Sequence, residues 1–175
     1  MKIKNASTLQ NNIKRLDELI YQKCGLNLTN FFIEEESKKY NACYFQLNKS
    51  KILFRTAKIT PTKTGQFVTL WKRIFDGPIQ PYSMNDAIDF VVINTCMDNH
   101  FGQFVFPKSI LCTKGIISTD LKEGKRAIRV YPPWDSATSK QAKNTQKWQL
   151  EYFLPIDYHK PVNIDLVKKL YLLSS

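Results

Sequence analysis

The sequence predicts a single α/β domain with a central mixed sheet flanked by helices. Patterns along the chain come in a clear order: one helical pattern, then five to seven strand-like patterns, then two helical patterns. The length of 175 residues suits one domain with a sizeable core. No internal repeat, low-complexity tract or linker divides the chain, so we expect residues 1–175 to fold together.

The individual elements follow from apolar periodicity. Helical spacing predicts a first helix over 8–23, which Gly25 would end. A continuous apolar run predicts a central strand over 90–93, buried on both faces. Other strands are predicted over 40–47, 51–59, 66–72, 101–106 and 127–131, a helix from about 137 to 153 with Asp135 or Ser136 as its N-cap, and a final helix over about 163–173.

Several classes of protein are disfavoured by composition. No apolar run approaches the roughly 20 residues of a membrane span, and no apolar core follows the charged N-terminus. The four cysteines form no CxxC pair, and neither histidine is spaced with a cysteine as zinc ligands are. We therefore expect a cytoplasmic protein with reduced thiols, no membrane association, no bound metal and no cofactor.

Positive charge is concentrated in the middle of the chain. The net charge is +11, and residues 51–150 hold 15 Lys or Arg against 7 Asp or Glu, a net charge of +8. This distribution predicts a localised positive face. Its partner would be nucleic acid, an anionic membrane surface or an acidic protein, unless the charge serves solubility alone.

The most basic stretch is FRTAKITPTKTGQFVTLWKR, residues 54–73, which contains no Asp or Glu. Its cations, hydroxyls and rings suit the phosphates and bases of a polyanion. Two further basic segments are Lys122 to Arg129, just before Tyr131-Pro-Pro-Trp134, and a predicted helix face with lysines at i, i+3 and i+7. The candidate binding residues are Arg55, Lys58, Thr62, Lys63, Thr64, Lys72, Arg73, Lys125, Arg126, Arg129, Tyr131, Trp134, Lys140, Lys143 and Lys147.

Long ordered runs in this sequence resemble the MepB-like family of bacterial proteins, which is associated with a multidrug-efflux operon. These runs are residues 54–73, DGPIQP (76–81), FGQFVFPKS (101–109), GKR (124–126), RVYPPWD (129–135) and 141–153. The resemblance is strongest over residues 40–153.

A more distant resemblance is to the restriction-endonuclease-like nuclease fold with the PD-(D/E)XK motif, which holds Mg²⁺ between two carboxylates beside a lysine. It aligns the motif lysine with Lys58 and the motif glutamate with Thr56, and it places the motif aspartate within 41–44, where no carboxylate stands. The resemblance therefore implies a nuclease-like scaffold without catalytic residues, because Asn, Cys and Thr do not supply the anionic charge of a Mg²⁺ site.

Together these observations predict a non-catalytic nucleic-acid-binding protein that favours single-stranded DNA or RNA over duplex and has little sequence specificity. Three basic segments would line a groove, with Tyr131 and Trp134 stacking on bases. Two alternatives remain. One is an active metal-dependent nuclease with displaced carboxylates, from Glu34–Glu36 or Asp89, and the other is a regulator that binds an acidic protein. The oligomeric state is not predicted.

Overall fold

The structure is a computed structural model that describes the backbone of residues 2–172 and the side chains of residues 8–171. It confirms a single mixed α/β domain with helices on its central sheet. The first helix, α1 (Lys2–Leu16), continues through a short π-helical turn and a 3₁₀ turn to Cys24. The helices are α1 (Lys2–Leu16), α2 (Lys108–Thr113), α3 (Lys140–Leu150) and α4 (Ile164–Leu172), and the strands are β1 (Leu28–Ile33), β2 (Cys43–Leu47), β3 (Ser50–Thr56), β4 (Lys58–Thr60), β5 (Lys63–Thr69), β6 (Trp71–Arg73), β7 (Ile79–Pro81), β8 (Phe90–Met97), β9 (His100–Pro107), β10 (Ala127–Val130) and β11 (Phe153–Pro155).

Six strands form the main sheet in the order β1-β2-β3-β8-β9-β11. Strands β3 and β8 pair in parallel, whereas the other neighbours are antiparallel. A parallel pair needs a long crossover. Here the crossover is residues 57–89, and it carries β4 to β7.

The predicted central strand is confirmed. Residues 90–95 of β8 are all buried, and residues 90–93 alternate between two hydrophobic cores. Phe90 and Val92 join one core with α1 and α4, while Val91 and Ile93 join a second core on the opposite face. A strand with both faces covered therefore reads as one unbroken apolar run.

The second core is covered by a smaller sheet, β10-β5-β4, together with α2 and α3. Val68 and Val130 of the smaller sheet are fully buried in this core. The domain therefore has three layers. The main sheet lies in the middle, and α1 and α4 cover one of its faces. The small sheet with α2 and α3 covers the other face, and we call it the second layer because it encloses the second core. Within residues 2–172 no helix is long and apolar enough to cross a membrane.

Several predicted boundaries needed correction. The predicted 51–59 strand breaks after Ala57, whose N–H makes the last bond of the β3–β8 ladder, to the carbonyl of Asn94, before β4 joins the small sheet. Residues 108–113, for which no helix was predicted, form α2. Helix α3 is shorter than predicted, because Ser139 and not Asp135 or Ser136 is its N-cap, accepting a hydrogen bond from the N–H of Ala142 at 3.1 Å. Gly25 ends the first helical segment in the left-handed conformation, as predicted.

Candidate functional site

A row of two cations and one aromatic ring crosses the small sheet. In the strand register, Lys58 of β4 and Arg129 of β10 both lie opposite Phe67 of β5. Directly paired residues project to the same face of an antiparallel sheet. The adjacent β5 residues Gln66 and Val68 are buried against the second core, so the row of Lys58, Phe67 and Arg129 lies on the outer face. We call this row, with Tyr40 beside it, the cationic sheet face.

Rings and cations of the cationic sheet face are close to one another. The ring centres of Tyr40 and Phe67 lie 6.2 Å apart. The Lys58 ammonium is 5.3 Å from the Tyr40 ring centre, and the Arg129 guanidinium carbon is 5.7 Å from the Phe67 ring centre. These distances are in the range of cation–π contacts. Cations and aromatic faces thus share one surface on rigid strands.

Arg129 also fastens the turn between β4 and β5. Its guanidinium donates hydrogen bonds to the Thr60 hydroxyl at 2.8 Å and to the Gly65 carbonyl at 2.9 Å. Both acceptors are uncharged, so the positive charge of Arg129 is positioned without being neutralised. The turn it fastens carries the predicted residues Thr62, Lys63 and Thr64, all of which are exposed.

Gly65 and Tyr131 fit together at the end of the same turn. Gly65 has φ +83°, a conformation that favours glycine. A Cβ at Gly65 would lie 2.6 Å from the Tyr131 ring, so the ring fills the space that glycine leaves. Tyr131, predicted to stack on bases, therefore has a packing role that fixes the turn.

Helix α3 is joined to the small sheet by Gln149. This buried side chain accepts from the Tyr131 N–H at 2.9 Å and donates to the Arg129 carbonyl at 3.0 Å. The third predicted segment, Lys140, Lys143 and Lys147, is therefore held beside the first two, and all three lysines are exposed. The predicted basic segments form adjacent parts of one layer, in the order α3, β10, β5, β4.

Not every predicted cation is available in this layer. Lys72 pairs with Asp86, Arg73 with Glu36 at 2.9 Å, and Arg126 with Glu123 at 2.8 Å. Among the residues whose side chains are described, the other predicted surface cations have no carboxylate within 4.0 Å, and these are Lys58, Lys63, Lys125, Arg129, Lys140, Lys143 and Lys147.

Arg55 is the clear correction to the predicted binding set. Its side chain is 0% exposed, and it pairs with Glu34 at 2.6 Å between guanidinium and carboxylate. It also donates to the Tyr82 hydroxyl at 3.0 Å and to the Phe54 carbonyl at 2.8 Å. A buried cation with its own counter-ion cannot reach a phosphate. Arg55 belongs to the interior.

The Arg55–Glu34 pair sits in a polar cluster with two tyrosines. The Tyr82 hydroxyl donates to Glu34 at 3.2 Å and lies 2.7 Å from the Tyr44 hydroxyl. Burial raises the pKa of Tyr82 to about 12, partly offset by Arg55, and burial with the neighbouring charges raises the pKa of Tyr44 as well. Both phenols therefore stay protonated and act as hydrogen-bond donors.

Asn41, which lies within the 41–44 range predicted for the motif aspartate, contacts Thr56, the residue predicted at the motif glutamate. The Asn41 amide donates to the Thr56 hydroxyl at 3.2 Å, and both groups are uncharged. Of the carboxylates considered as replacements, Glu34 is paired with Arg55, and Asp89 accepts from the Lys51 N–H at 2.7 Å. Within the described part of the chain, no group of three or more His, Cys, Asp or Glu side chains is arranged to hold a metal ion.

Trp134 has partners that limit its predicted stacking role. Its ring stacks on His100 with centres 5.3 Å apart and an interplanar angle of 17°, and its edge meets Phe153. One ring face is thus occupied. Tyr40 and Phe67 are the aromatic residues that the predicted set lacked. The alternation from Gln66 to Leu70 was the available signal for Phe67, because it places residues 67 and 69 on the outer face.

Fold and site together define a mixed α/β domain whose second layer carries an uncompensated cationic surface. The chain belongs to the MepB-like family, whose profile matches residues 34–155. It is 38% identical to a protein described as MepB, for which a crystal structure is known, over 73% of this chain and 86% of that chain, with a TM-score of 0.71.

A second solved structure matches more distantly. The bacterial homing endonuclease I-Ssp6803I is 15% identical over 87% of this chain and 93% of that chain, with a TM-score of 0.45. A likeness of this size supports no inference about the activity of this chain. No match is found among curated proteins.

Proposed function

We propose that this protein is a cytoplasmic, non-catalytic nucleic-acid-binding protein with a degenerate nuclease-like site, which favours single strands and has little sequence specificity. The observation that carries the proposal is the cationic sheet face. Proteins that bind single strands combine cations that follow the backbone with aromatic rings that stack on bases. Lys58 and Arg129 flank Phe67 in this manner on three rigid strands.

The charge balance of the second layer supports a polyanionic partner. Lys63 extends the cationic sheet face at one end, and the lysines of α3 extend the layer at the other. Since these cations lack carboxylate partners among the described side chains, binding a phosphate breaks no existing ion pair. Cations carried by the strands of a sheet also favour contacts with backbone phosphates over reading of base sequence.

The non-catalytic part of the proposal is supported by the motif positions. Asn41 and Thr56 are neutral and bonded to each other, while Glu34 is bonded to Arg55 and Tyr82. A Mg²⁺ site would have to recruit Glu34 away from the Arg55 guanidinium. Such a replacement would leave a buried cation without a counter-ion, which is unfavourable.

The test is fluorescence anisotropy of labelled single-stranded DNA, single-stranded RNA and duplex at several salt concentrations, with and without Mg²⁺. Lys58→Ala/Lys63→Ala is compared with the matched control Lys168→Ala/Lys169→Ala, whose lysines are exposed on α4 in the opposite layer. We expect tighter binding to single strands. Each lysine removed from the face should lower the slope of log K against log salt by roughly 0.7 for single strands, and the control should leave it unchanged.

The outcomes separate the candidate functions. Equal weakening by both double variants would mean that charge alone, and not this face, mediates binding. A signal that decays only with Mg²⁺ would indicate cleavage and support the nuclease alternative. No binding to any oligonucleotide at low salt would refute the proposal and favour an acidic protein partner.

A further inference from the structure

A second binding feature lies on the same layer, away from the cationic sheet face. Between the C-terminal end of α2 and helix α3 is an open groove of about 590 Å³, within the size range of small-molecule sites. Its floor is Trp148. Its other lining residues are Lys114, Lys140, Gln141, Asn144 and Thr145.

Helical geometry explains this lining. Residues 140, 141, 144, 145 and 148 are one, three or four positions apart, and at 3.6 residues per turn they form one stripe of α3. Gln149 projects from a different side of the helix, where it bonds to β10. Trp148 is the member of this stripe that also packs on the second core, against Phe106 of β9.

The Trp148 side chain is held in place by two neighbouring rings. Its ring lies 5.3 Å from the Phe106 ring centre and 6.5 Å from that of Tyr152. The Lys114 ammonium lies over the Trp148 ring, 5.3 Å from the ring centre. The lining contains two lysines and no carboxylate, so an anion entering the groove would meet only positive charge.

We infer that this groove binds one nucleotide, with its base taking the place of the Lys114 ammonium over the Trp148 ring and its phosphate between Lys114 and Lys140. An indole face accepts any base by stacking. Gln141 and Asn144 each offer both donors and an acceptor, which suits the mixed edges of bases. A purely apolar ligand would make no polar contact with the five polar side chains of the lining, and an inorganic anion would leave the ring uncovered.

The nucleotide has two possible sources: a free mononucleotide, or one residue of a bound strand. The groove shares only Lys140 with the surface proposed for strand binding. The inference therefore does not depend on that proposal.

Calorimetric titration with AMP, UMP, adenosine and inorganic phosphate tests the inference, and labelled oligonucleotides test the second source. Three variants are compared with wild type: Lys114→Ala/Lys140→Ala, Asn144→Glu and Trp148→Leu. The control is Lys168→Ala/Lys169→Ala on α4. Asn144 is exposed, so Asn144→Glu adds negative charge to the groove without disturbing the core, even if Trp148→Leu fails to fold.

We expect mononucleotides to bind more tightly than adenosine or phosphate alone. The lysine variant and Asn144→Glu should each weaken AMP by about tenfold or more, and the control should not. If only oligonucleotides bind, the same variants should weaken them, which assigns the site to a strand-borne nucleotide. Nucleotide binding that is equal in wild type and both groove variants would refute the inference, as would no binding of nucleotides in either form.

These results are distinguishable from failure of the proposed function. If the protein binds no strand but binds mononucleotides in a manner that requires Lys114, the groove inference would be supported and the proposed strand binding refuted. Strand binding that is weakened by Lys58→Ala/Lys63→Ala but not by the groove variants would support the proposed function and refute the groove inference.

Discussion

Replacing Arg55 should destabilise the protein far more than replacing any other predicted binding residue. At 2.6 Å, the attraction between Arg55 and Glu34 is about 6 kcal/mol for an effective dielectric constant near 20. Desolvation of the two charges costs several kcal/mol for each ion, so the net contribution of the pair is small. Removing one partner costs much more than the pair contributes, because the other charge then stays buried without a counter-ion.

Arg55→Met should therefore lower the free energy of unfolding by roughly 3–5 kcal/mol. For a chain of this length, about 1 kcal/mol corresponds to a shift of 2–4 °C in Tm, so Tm should fall by roughly 6–20 °C. Glu34→Gln should cost a similar amount, since an arginine cannot give up its proton. The double variant Arg55→Met/Glu34→Gln should lie within about 2 kcal/mol of wild type, because no buried charge remains.

Urea unfolding followed by circular dichroism measures the four free energies of this double-mutant cycle. A control, Lys58→Met, replaces an exposed cation and should change stability by less than about 0.5 kcal/mol. Destabilisation of the double variant by the sum of the two single effects would show that the charges do not depend on each other. That result would refute the buried pair.

Four further predictions concern single positions. Gly102→Ala should lower stability by about 1–3 kcal/mol in urea unfolding, because its Cβ would lie 2.8 Å from the Leu154 carbonyl and collide with the adjacent ring. Phe75→Asn should raise Tm slightly, since Phe75 is 93% exposed at φ 52° and Asn tolerates that conformation better; a fall in Tm would indicate that the ring has a packing role. Thiol reagents should label exposed Cys96 in the native state and spare Cys43, whose pKa is raised by burial, as peptide mapping by mass spectrometry would show. Asp135→Asn should make stability less dependent on pH. Burial raises the pKa of Asp135 in the folded state, so the wild-type protein loses stability as pH rises from about 3.9 through that raised pKa. An unchanged pH profile of the unfolding free energy in the variant would contradict this.

The parts of the fold that could be predicted are those in which a local sequence pattern fits only one secondary structure and burial. The run Phe90–Ile93 is apolar at four successive positions, and a sheet covered on both faces requires that. The helix α2 was missed because six residues between β9 and a glycine-containing turn are too short to show a period. Helix α3 was predicted too long because Asp135 and Ser136 are as suitable for N-caps as Ser139, and only the fold selects one.

Within the candidate site, the composition of the surface was predictable but the pairing of its charges was not. Arg55 stands in the same basic stretch as Lys58, and no local property distinguishes the two. The distinction arises from topology, because β3 lies between β2 and β8 with residues 52–55 buried, whereas the chain leaves that sheet after Ala57 to form β4. Glu34 is 21 positions away in sequence, so its pairing with Arg55 depends on a tertiary contact that single-sequence patterns do not reveal.

Topology also explains why the positive charge is localised. Strands β8 and β9 lie inside the main sheet, and neither contains a Lys or Arg. A cation in such a strand would need a buried counter-ion of its own, as Arg55 has in Glu34. The basic residues of 51–150 must therefore lie mainly in the crossover and in the segments after β9, which are the ones that build the second layer. The requirement that the core exclude unpaired charge thus concentrates the cations of residues 51–150 in the second layer, where Lys58 and Arg129 lie beside the rings of Tyr40 and Phe67.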